Sequence, residues 1–423
     1  MNEQIDTIES DSKKAISIYK ANRQAEIKTS IEAIFAKHAF LLPSNKESLI
    51  LLKPNLNANM NALTGNTTDL RLLAATIEGL KQRGYTNIKI GEGTNSGYYR
   101  NNISVISRLR VDLLAKYYGV DIVDLNYSEP HEIEFEDGVR ASVAKEVMNA
   151  DFIINLPKMK THFEAGMSVC LKNMMGCLIG QENKKKTHKS LARNILHINE
   201  YIKPHLHIVD GIIAMEGLGP TRGMPVKTGL IIAGTDPYLV DLACARIAKF
   251  DYRKVATLRV AEEIGRLTPE YHSYVNSLDI KELERDFAPP KAGFLASFIH
   301  SPKRQRYFLA IRNTRLFNYL CSTKIVGKIL YATGLRQDVF IDDEMHCEGL
   351  EIDIGRCAKC NKCSDYCPMG INLPDHLNKD DNGCIQCLYC FMVCPEKAII
   401  FKGNPGFVSE QLRQYDEVTR RIA

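Results

Sequence analysis

At 423 residues the chain is too long for one ordinary core and implies two or three domains. Apolar residues make up 45% and charged residues 25%, and a net charge of +5 at this length gives no reason to expect a nucleic-acid partner. No run of eighteen apolar residues occurs and the acidic, polar start MNEQIDTIESDSKK has no signal-peptide character, so neither a membrane-spanning helix nor a secretory leader is expected.

Residues 1–45 are predicted as a peripheral helical segment. Ser48–Lys53 is a short apolar run stopped by Pro54, the pattern of a buried strand. Asn66-Thr-Thr-Asp69 then opens a helix with a capping side chain, and the helix runs to Gly84. Strands follow at Asn87–Ile90, Asp121–Leu125 and Asp151–Asn155, with a helix near Ser104–Tyr118 and a hairpin over 131–145. A helical region over Phe163–Tyr201 precedes strands at His205–Asp210 and Gly229–Ala233. Asp236-Pro237 caps a last helix, Tyr238–Ala248. This alternation predicts an α/β domain over 46–265 with a mainly parallel sheet.

Residues 266–345 read as a basic helical connector, with nine Lys or Arg and no Asp or Glu between Pro290 and Gln337. Its basic and aromatic faces are expected to pack beside the acidic segment that follows; peripheral membrane contact is the less favoured alternative.

That segment, 346–405, carries Cys357-x2-Cys360-x2-Cys363-x3-Cys367-Pro368 and then Cys384-x2-Cys387-x2-Cys390-x3-Cys394-Pro395. Paired C-x2-C alone would also suit zinc, but a third cysteine and a Cys-Pro in each copy are more than zinc requires. The stretch resembles the bacterial dicluster ferredoxins. The resemblance implies an α+β module with two [4Fe–4S] clusters, one on Cys357, Cys360, Cys363 and Cys394, the other on Cys384, Cys387, Cys390 and Cys367. Polar residues surround the first motif and Ile385, Leu388, Tyr389, Phe391, Met392 and Val393 surround the second, so the second is expected to face the rest of the protein. Residues 406–423 read as a polar tail helix.

In parallel sheets ligands bind beyond the carboxyl ends of the strands. The loops expected there are Lys53-Pro54-Asn55, Asn155-Leu-Pro-Lys158-Met-Lys160-Thr-His162, Leu171-Lys172-Asn173-Met-Met-Gly176, Lys184–His188, Asp210-Gly211 and Met215–Pro220. Lys53, Asn55, Lys158, Lys160, Lys172 and Asn173 are candidates to bind an anionic substrate, and His162 and His188 to transfer protons or ligate a metal. The alternatives are solvated lysines and structural histidines. Asp210 and Glu216 would bind a metal or fix glycine-rich turns, and Asp236 is expected to be a helix cap. Cys170 and Cys177 read as packing residues. Gly91-x-Gly93-x3-Gly97 departs from the dinucleotide fingerprint, and no P-loop occurs.

The segments KPN, NLPKMKTH, LKNMMG, VDGIIAMEGLGP and GTDPYLVD, with His188, resemble the domain-of-unknown-function family numbered 362, over about Ile50–Asp241. The family's chemistry is not established, but its members are often joined to ferredoxin-like modules. The expected function is that of an iron–sulfur oxidoreductase, passing low-potential electrons from a ferredoxin or similar donor to an anionic small molecule or cofactor in the α/β domain. The alternative is a non-enzymatic electron carrier or cofactor-assembly protein. Oxygen-sensitive clusters and free thiols suggest a reducing cytoplasm.

Overall fold

The computed structural model describes residues 16–95, 98, 101–135, 138–290, 343–375, 377, 383–412 and 415–422. The main sheet runs in the order β1 (Ser17–Lys20), β11 (Arg222–Gly234), β10 (Leu206–Leu218), β7 (Phe152–Leu156), β2 (Ile50–Pro54), β3 (Ile88–Glu92), β4 (Asp121–Asp124). The four contacts from β10 across to β4 are parallel, and β11 is antiparallel to both neighbours. Residues 16–290 therefore form a mixed α/β domain with a mainly parallel central sheet.

The central strands follow from their composition. Every residue of β2 (ILLKP) and β7 (FIINL) is buried, as a parallel strand covered on both faces requires. Helix α1 (Gln24–Lys37) packs against α2 (Leu70–Gln82) on one face of the sheet. Asp69 starts α2 by accepting the Arg71 N–H at 2.9 Å. A third helix, α3 (Val111–Tyr118), leads into β4. The predicted hairpin is β5 (Pro130–Glu134) with β6 (Arg140–Ala144).

Three sequence expectations give way. Ser17–Lys20, assigned to a helical segment, is an edge strand antiparallel to β11, with Ile18 and Tyr19 buried. Lys158–His162, read as a loop, is strand β8. It pairs with β10 through Asp210↔Lys158 and Met215↔Lys160, and with β9 (Gly166–Ser168). The residues from Asp210 to Leu218, also read as loop, continue β10, so β10 and β11 form a long hairpin with an irregularity between Gly211 and Ile213. Its glycines sit inside the strands and give the sequence the look of turns.

Helices α4 (Gly180–Thr187) and α5 (Leu191–Ile202) occupy about half of the predicted helical region, which also holds the strand β9. On α6 (Pro237–Ile247) Asp236 is the expected cap, accepting from Tyr238 and Leu239. The packing does not stop at residue 265. Helices α7 (Ala256–Glu263) and α8 (Pro269–Ser277) join the second core, with Leu267, Val275, Leu278, Ile280, Leu283 and Phe287 buried in it. The basic stretch of the connector, from 291 onward, lies outside the described residues.

The C-terminal unit holds an antiparallel pair, β12 (His346–Ile352) and β13 (Ile399–Asn404), a short helix α9 (Tyr389–Val393) and a tail helix α10 (Tyr415–Ile422). Tyr366, Ile385, Tyr389, Met392, Val393, Val418 and Ile422 belong to the same apolar core as α1 and α2. The unit is thus docked on the α/β domain through its second cysteine motif.

Candidate functional site

The two cysteine motifs share an uncommon backbone pattern. The residues on either side of the middle cysteine are left-handed in both copies: Lys359 and Asn361 (φ 51° and 60°) around Cys360, Gln386 and Leu388 (φ 53° and 64°) around Cys387. Three residues after each Cys-Pro cysteine the pattern repeats, at Gly370 and Lys397 (φ 67° and 51°). Residues with a Cβ rarely adopt this region, so five such positions in register mark a constrained loop. Alternating left- and right-handed residues turn successive N–H groups inward and build a concavity for negative charge. Gln386 N donates to Cys384 Sγ at 3.4 Å, and Ala398 N to Cys394 Sγ at 3.2 Å.

Cys357, Cys360, Cys363 and Cys394 line one concavity with about 410 Å³ of empty space, walled by Ile352, Pro374 and Ile399. Burial raises the Cys363 thiol to about 11, with Cys360 and Cys394 adding to the shift. Around the second motif, burial pushes the Cys387 thiol far up, reinforced by Cys367, Cys390 and Cys384. Each motif's fourth cysteine therefore stands beside the other motif. Among the described residues no three His, Cys, Asp or Glu side chains converge as ligands of one ion.

The loop after β2 carries the second motif's polar contacts. Asn61 Nδ2 donates to Cys387 O at 3.0 Å, and Leu70 N to Tyr389 Oη at 3.1 Å. The Arg71 guanidinium, held by Asp69, lies 4.2 Å from the Tyr366 ring centroid.

Of the predicted substrate-binding residues, Lys53, Asn55, Lys158, Lys160 and Asn173 come together, but inside the protein. Lys53 Nζ pairs with Glu92 Oε1 at 3.0 Å, and Lys158 Nζ with Asp210 Oδ2 at 2.9 Å, all four side chains being buried. Lys160 Nζ donates to Asn55 Oδ1, Asn57 Oδ1 and Asn66 O at 2.7–2.8 Å. Asn55 donates to Asn173, Asn173 to Asn155, and Asn155 to His207. The lysines and asparagines of this network bond one another, while His207 Nε2 at its end is buried without a partner among the described residues. Lys53 and Lys158 thus neutralise internal carboxylates rather than presenting charge to a ligand. Gly93 N donates to Gly176 O at 3.0 Å; a Cβ on Gly93 would overlap that carbonyl, and one on Gly176 would overlap the Glu92–Lys53 ion pair. Close packing explains those glycines. Glu216 binds Arg421 and the Ala288 N–H, and Cys170 and Cys177 are fully buried.

His162, Lys172 and His188 meet at a more accessible place, around an acid that the sequence analysis did not select. His188 Nδ1 lies 3.2 Å from Glu164 Oε1, with side-chain exposures of 32% and 19%. His162 Nδ1 accepts the Glu164 and Ala165 N–H groups at 3.1 and 3.2 Å, which leaves the ring proton on Nε2. Burial, then Lys172, drive the His162 pKa well down, so its ring is neutral. Burial lowers that of Lys172, opposed by Glu164. Burial opposes ionisation of Glu164, yet the His188 hydrogen bond and the surrounding cations outweigh it and hold its pKa at about 2. The available signal for Glu164 was its position two residues after His162, where a carboxylate can serve both ends of the loop.

Such a carboxylate stabilises the fold fully above its unfolded value near 4.5, and the contribution is lost as pH falls towards 2. Glu164→Gln is therefore expected to cost about 1–3 kcal/mol at neutral pH and to remove that part of the acid limb. The check is the denaturation midpoint against pH. Superimposable wild-type and variant curves would contradict the geometry.

Residues 50–246 match the family model described as Domain of unknown function (DUF362). This part of the chain is similar to that family. It contains all eight of the predicted catalytic and substrate-binding residues, while the cysteine motifs lie beyond it. A relative of the chain, the thylakoid-associated protein sll1697 of Synechocystis sp., is 28% identical over 262 residues, covering 57% of this chain and 74% of that protein. Among solved structures, the lactate racemase apoprotein of Thermoanaerobacterium thermosaccharolyticum aligns at 12% identity and a TM-score of 0.34, covering 59% of this chain and 63% of that one. A Thermotoga maritima protein aligns at 13% identity and a TM-score of 0.27, covering 49% and 54%. The chain thus spans less than two thirds of either solved structure, and scores this low carry no mechanistic argument. Among the described residues no helix is long and apolar enough to cross a membrane.

Proposed function

We propose that the protein is an iron–sulfur redox protein in which a dicluster ferredoxin-type module serves the DUF362 domain. The observation that carries this reading is the repeated left-handed loop around Cys360 and Cys387, together with one concavity that gathers three cysteines of the first motif and the fourth of the second. The donor set, four thiols and inward N–H groups, suits a [4Fe–4S] cluster, which when bound supplies single electrons at low potential. Cys384, Cys387, Cys390 and Cys367 would hold the second.

The chain's own residues divide the remaining work. Cys360 and Cys384 are both exposed, but Cys390 and Cys367 are buried whereas Cys357, Cys363 and Cys394 are half-buried, so the first motif is the port for a ferredoxin or other low-potential donor. The second motif is packed on the α/β core and faces the loop 55–61. In the DUF362 domain, the carboxylate of Glu164 orients His188 through their 3.2 Å contact. His162 offers a neutral N–H donor, and Lys172 a positive charge, to an anionic small molecule. This makes an oxidoreductase the better reading than a bare electron carrier.

The test is anaerobic electron paramagnetic resonance of the reduced protein. Two interacting cluster signals are expected, both dependent on the cysteines. A reduced protein with no paramagnetic centre, purified with zinc, would overturn the reading.

A further inference from the structure

The lysines gathered at the carboxyl end of the sheet are not alike. Lys53 is bound to Glu92, Lys158 to Asp210, Lys160 to Asn55 and Asn57, and Lys184 to Gly93 O, Thr94 O and Asn126. Each of these ammonium groups is thus held by oxygen. Lys172 differs. Its Nζ meets the thioether sulfur of Met175 at 3.4 Å, a weak acceptor that satisfies an ammonium poorly.

The backbone that carries Lys172 is pinned on both sides. In the short helix Cys170–Asn173, the N–H groups of Cys170 and Leu171 donate to the Asp241 carboxylate at 2.8 and 3.3 Å. The Asn155 amide donates to Cys170 O, the Asn199 amide to Leu171 O, and Lys53 Nζ to Asn173 O. Cys170, Leu171 and Asn173 are buried, and Lys172 is the partly exposed member of the four. Its side chain emerges beside two imidazoles. Each ring is engaged through Nδ1, His162 with the Glu164 and Ala165 N–H groups and His188 with the Glu164 carboxylate, which leaves both Nε2 atoms for a ligand. Lys172 exerts the largest charge effect on His162, and Glu164 on Lys172, so amine, rings and carboxylate share one small volume. That volume is reached from solvent, since Phe163, Glu164, Lys172 and His188 are all partly exposed.

A fixed amine without an oxygen partner, set among acid–base groups, is the arrangement of a nucleophile. Burial adds to it by favouring the uncharged amine, the form that attacks. We propose that Lys172 forms an imine with a small 2-oxo acid, whose carboxylate is held by His162 while His188, backed by Glu164, moves the proton. The amine nitrogen adds to the keto carbon, and His188 carries one proton from nitrogen to the former carbonyl oxygen. That oxygen then leaves as water and the C=N bond forms. The step gains and loses no electrons and needs no co-reactant. The protonated imine keeps a positive charge next to the carboxylate, so a 2-oxo acid suits the site better than a simple ketone. This substrate class rests on the reading that the His162–Glu164–His188 group takes an anionic small molecule, and it does not depend on the clusters.

The test treats the anaerobically purified protein with pyruvate and sodium cyanoborohydride and reads the peptides by mass spectrometry. Lys172 should gain the mass of pyruvic acid less one oxygen atom. Acetone, which lacks the carboxylate, should label Lys172 about 10-fold less, the effect of losing one charge-assisted contact. Lys116, an exposed lysine outside the site, should take less pyruvate label than Lys172. His188→Gln should slow the labelling about 100-fold, the scale of general acid–base catalysis. Lys172→Arg keeps the charge and should leave that peptide unlabelled. Equal labelling of Lys172 and Lys116, equal labelling by acetone, an unchanged rate in His188→Gln, or a labelled peptide in Lys172→Arg would overturn the proposal. Protection of Lys172 from acetic anhydride by pyruvate, measured in the wild-type protein, separates the imine from the reading beneath it. Protection without label would leave an anion site and remove the imine, whereas neither protection nor label would remove both.

Discussion

Lys158→Met is expected to destabilise the protein by about 3–5 kcal/mol, the usual cost of stripping one partner from a fully buried ion pair. Lys158 and Asp210 are both without solvent exposure, and Asp210 Oδ2 accepts from Lys158 Nζ at 2.9 Å and from the Asp69 N–H at 2.6 Å. Burial already pushes the Asp210 carboxyl upwards, with Lys158 opposing that shift. Without the lysine, Asp210 would take up a proton at ordinary pH or remain as an unpaired buried charge. The loss should therefore be smallest in mild acid, where Asp210 is protonated, and should grow as pH rises. Replacing Asp210 by Leu as well should recover only part of the loss, because the Asp69 and Ile212 N–H groups that it accepts would be orphaned. Denaturant midpoints across pH measure all of this. An unchanged midpoint in Lys158→Met would mean that this lysine is no structural counter-charge. The outcome sequence reasoning had favoured, lost ligand binding in an otherwise stable protein, would then return.

Cys367→Ser is expected to damage the second-motif cluster and leave the first largely intact. Cys367 follows the first motif in sequence, but its thiol is among the neighbours that raise Cys387 and Cys390. Cys394→Ser should do the reverse, since Cys394 lines the first motif's concavity. Iron content would fall by up to about half in each variant, and the paramagnetic signal that disappears should differ between them. Loss of the first-motif signal on replacing Cys367 would mean that each motif supplies all four of its own ligands.

The parts legible in the sequence are those whose cause is local. β2, β3 and β7 were found to within a residue or two because strands covered on both faces read as unbroken apolar runs. The caps at Asp69 and Asp236 were found because a cap is set by its immediate neighbours. What was missed depends on partners distant in sequence. Lys158-Met-Lys160-Thr-His162 is too polar to look like a buried strand until Asp210, Asn55 and Asn57 are known to receive its two lysines. The loop reading failed over Met215–Leu218, where glycine within a bulged hairpin resembles glycine in a turn, and held at Gly219-Pro220, which turn from β10 to β11. Five of the six residues chosen for an anion site lie together, yet the sequence does not show that Glu92 and Asp210 pair with Lys53 and Lys158. Glu164 was overlooked because its role exists only once His188 is brought beside it.

The central claim is that the eight cysteines of the two motifs hold two [4Fe–4S] clusters. Iron and acid-labile sulfide, counted per chain after anaerobic purification or reconstitution, test it most directly. The account predicts about eight of each, with zinc absent. One or two zinc ions per chain and no sulfide would contradict it.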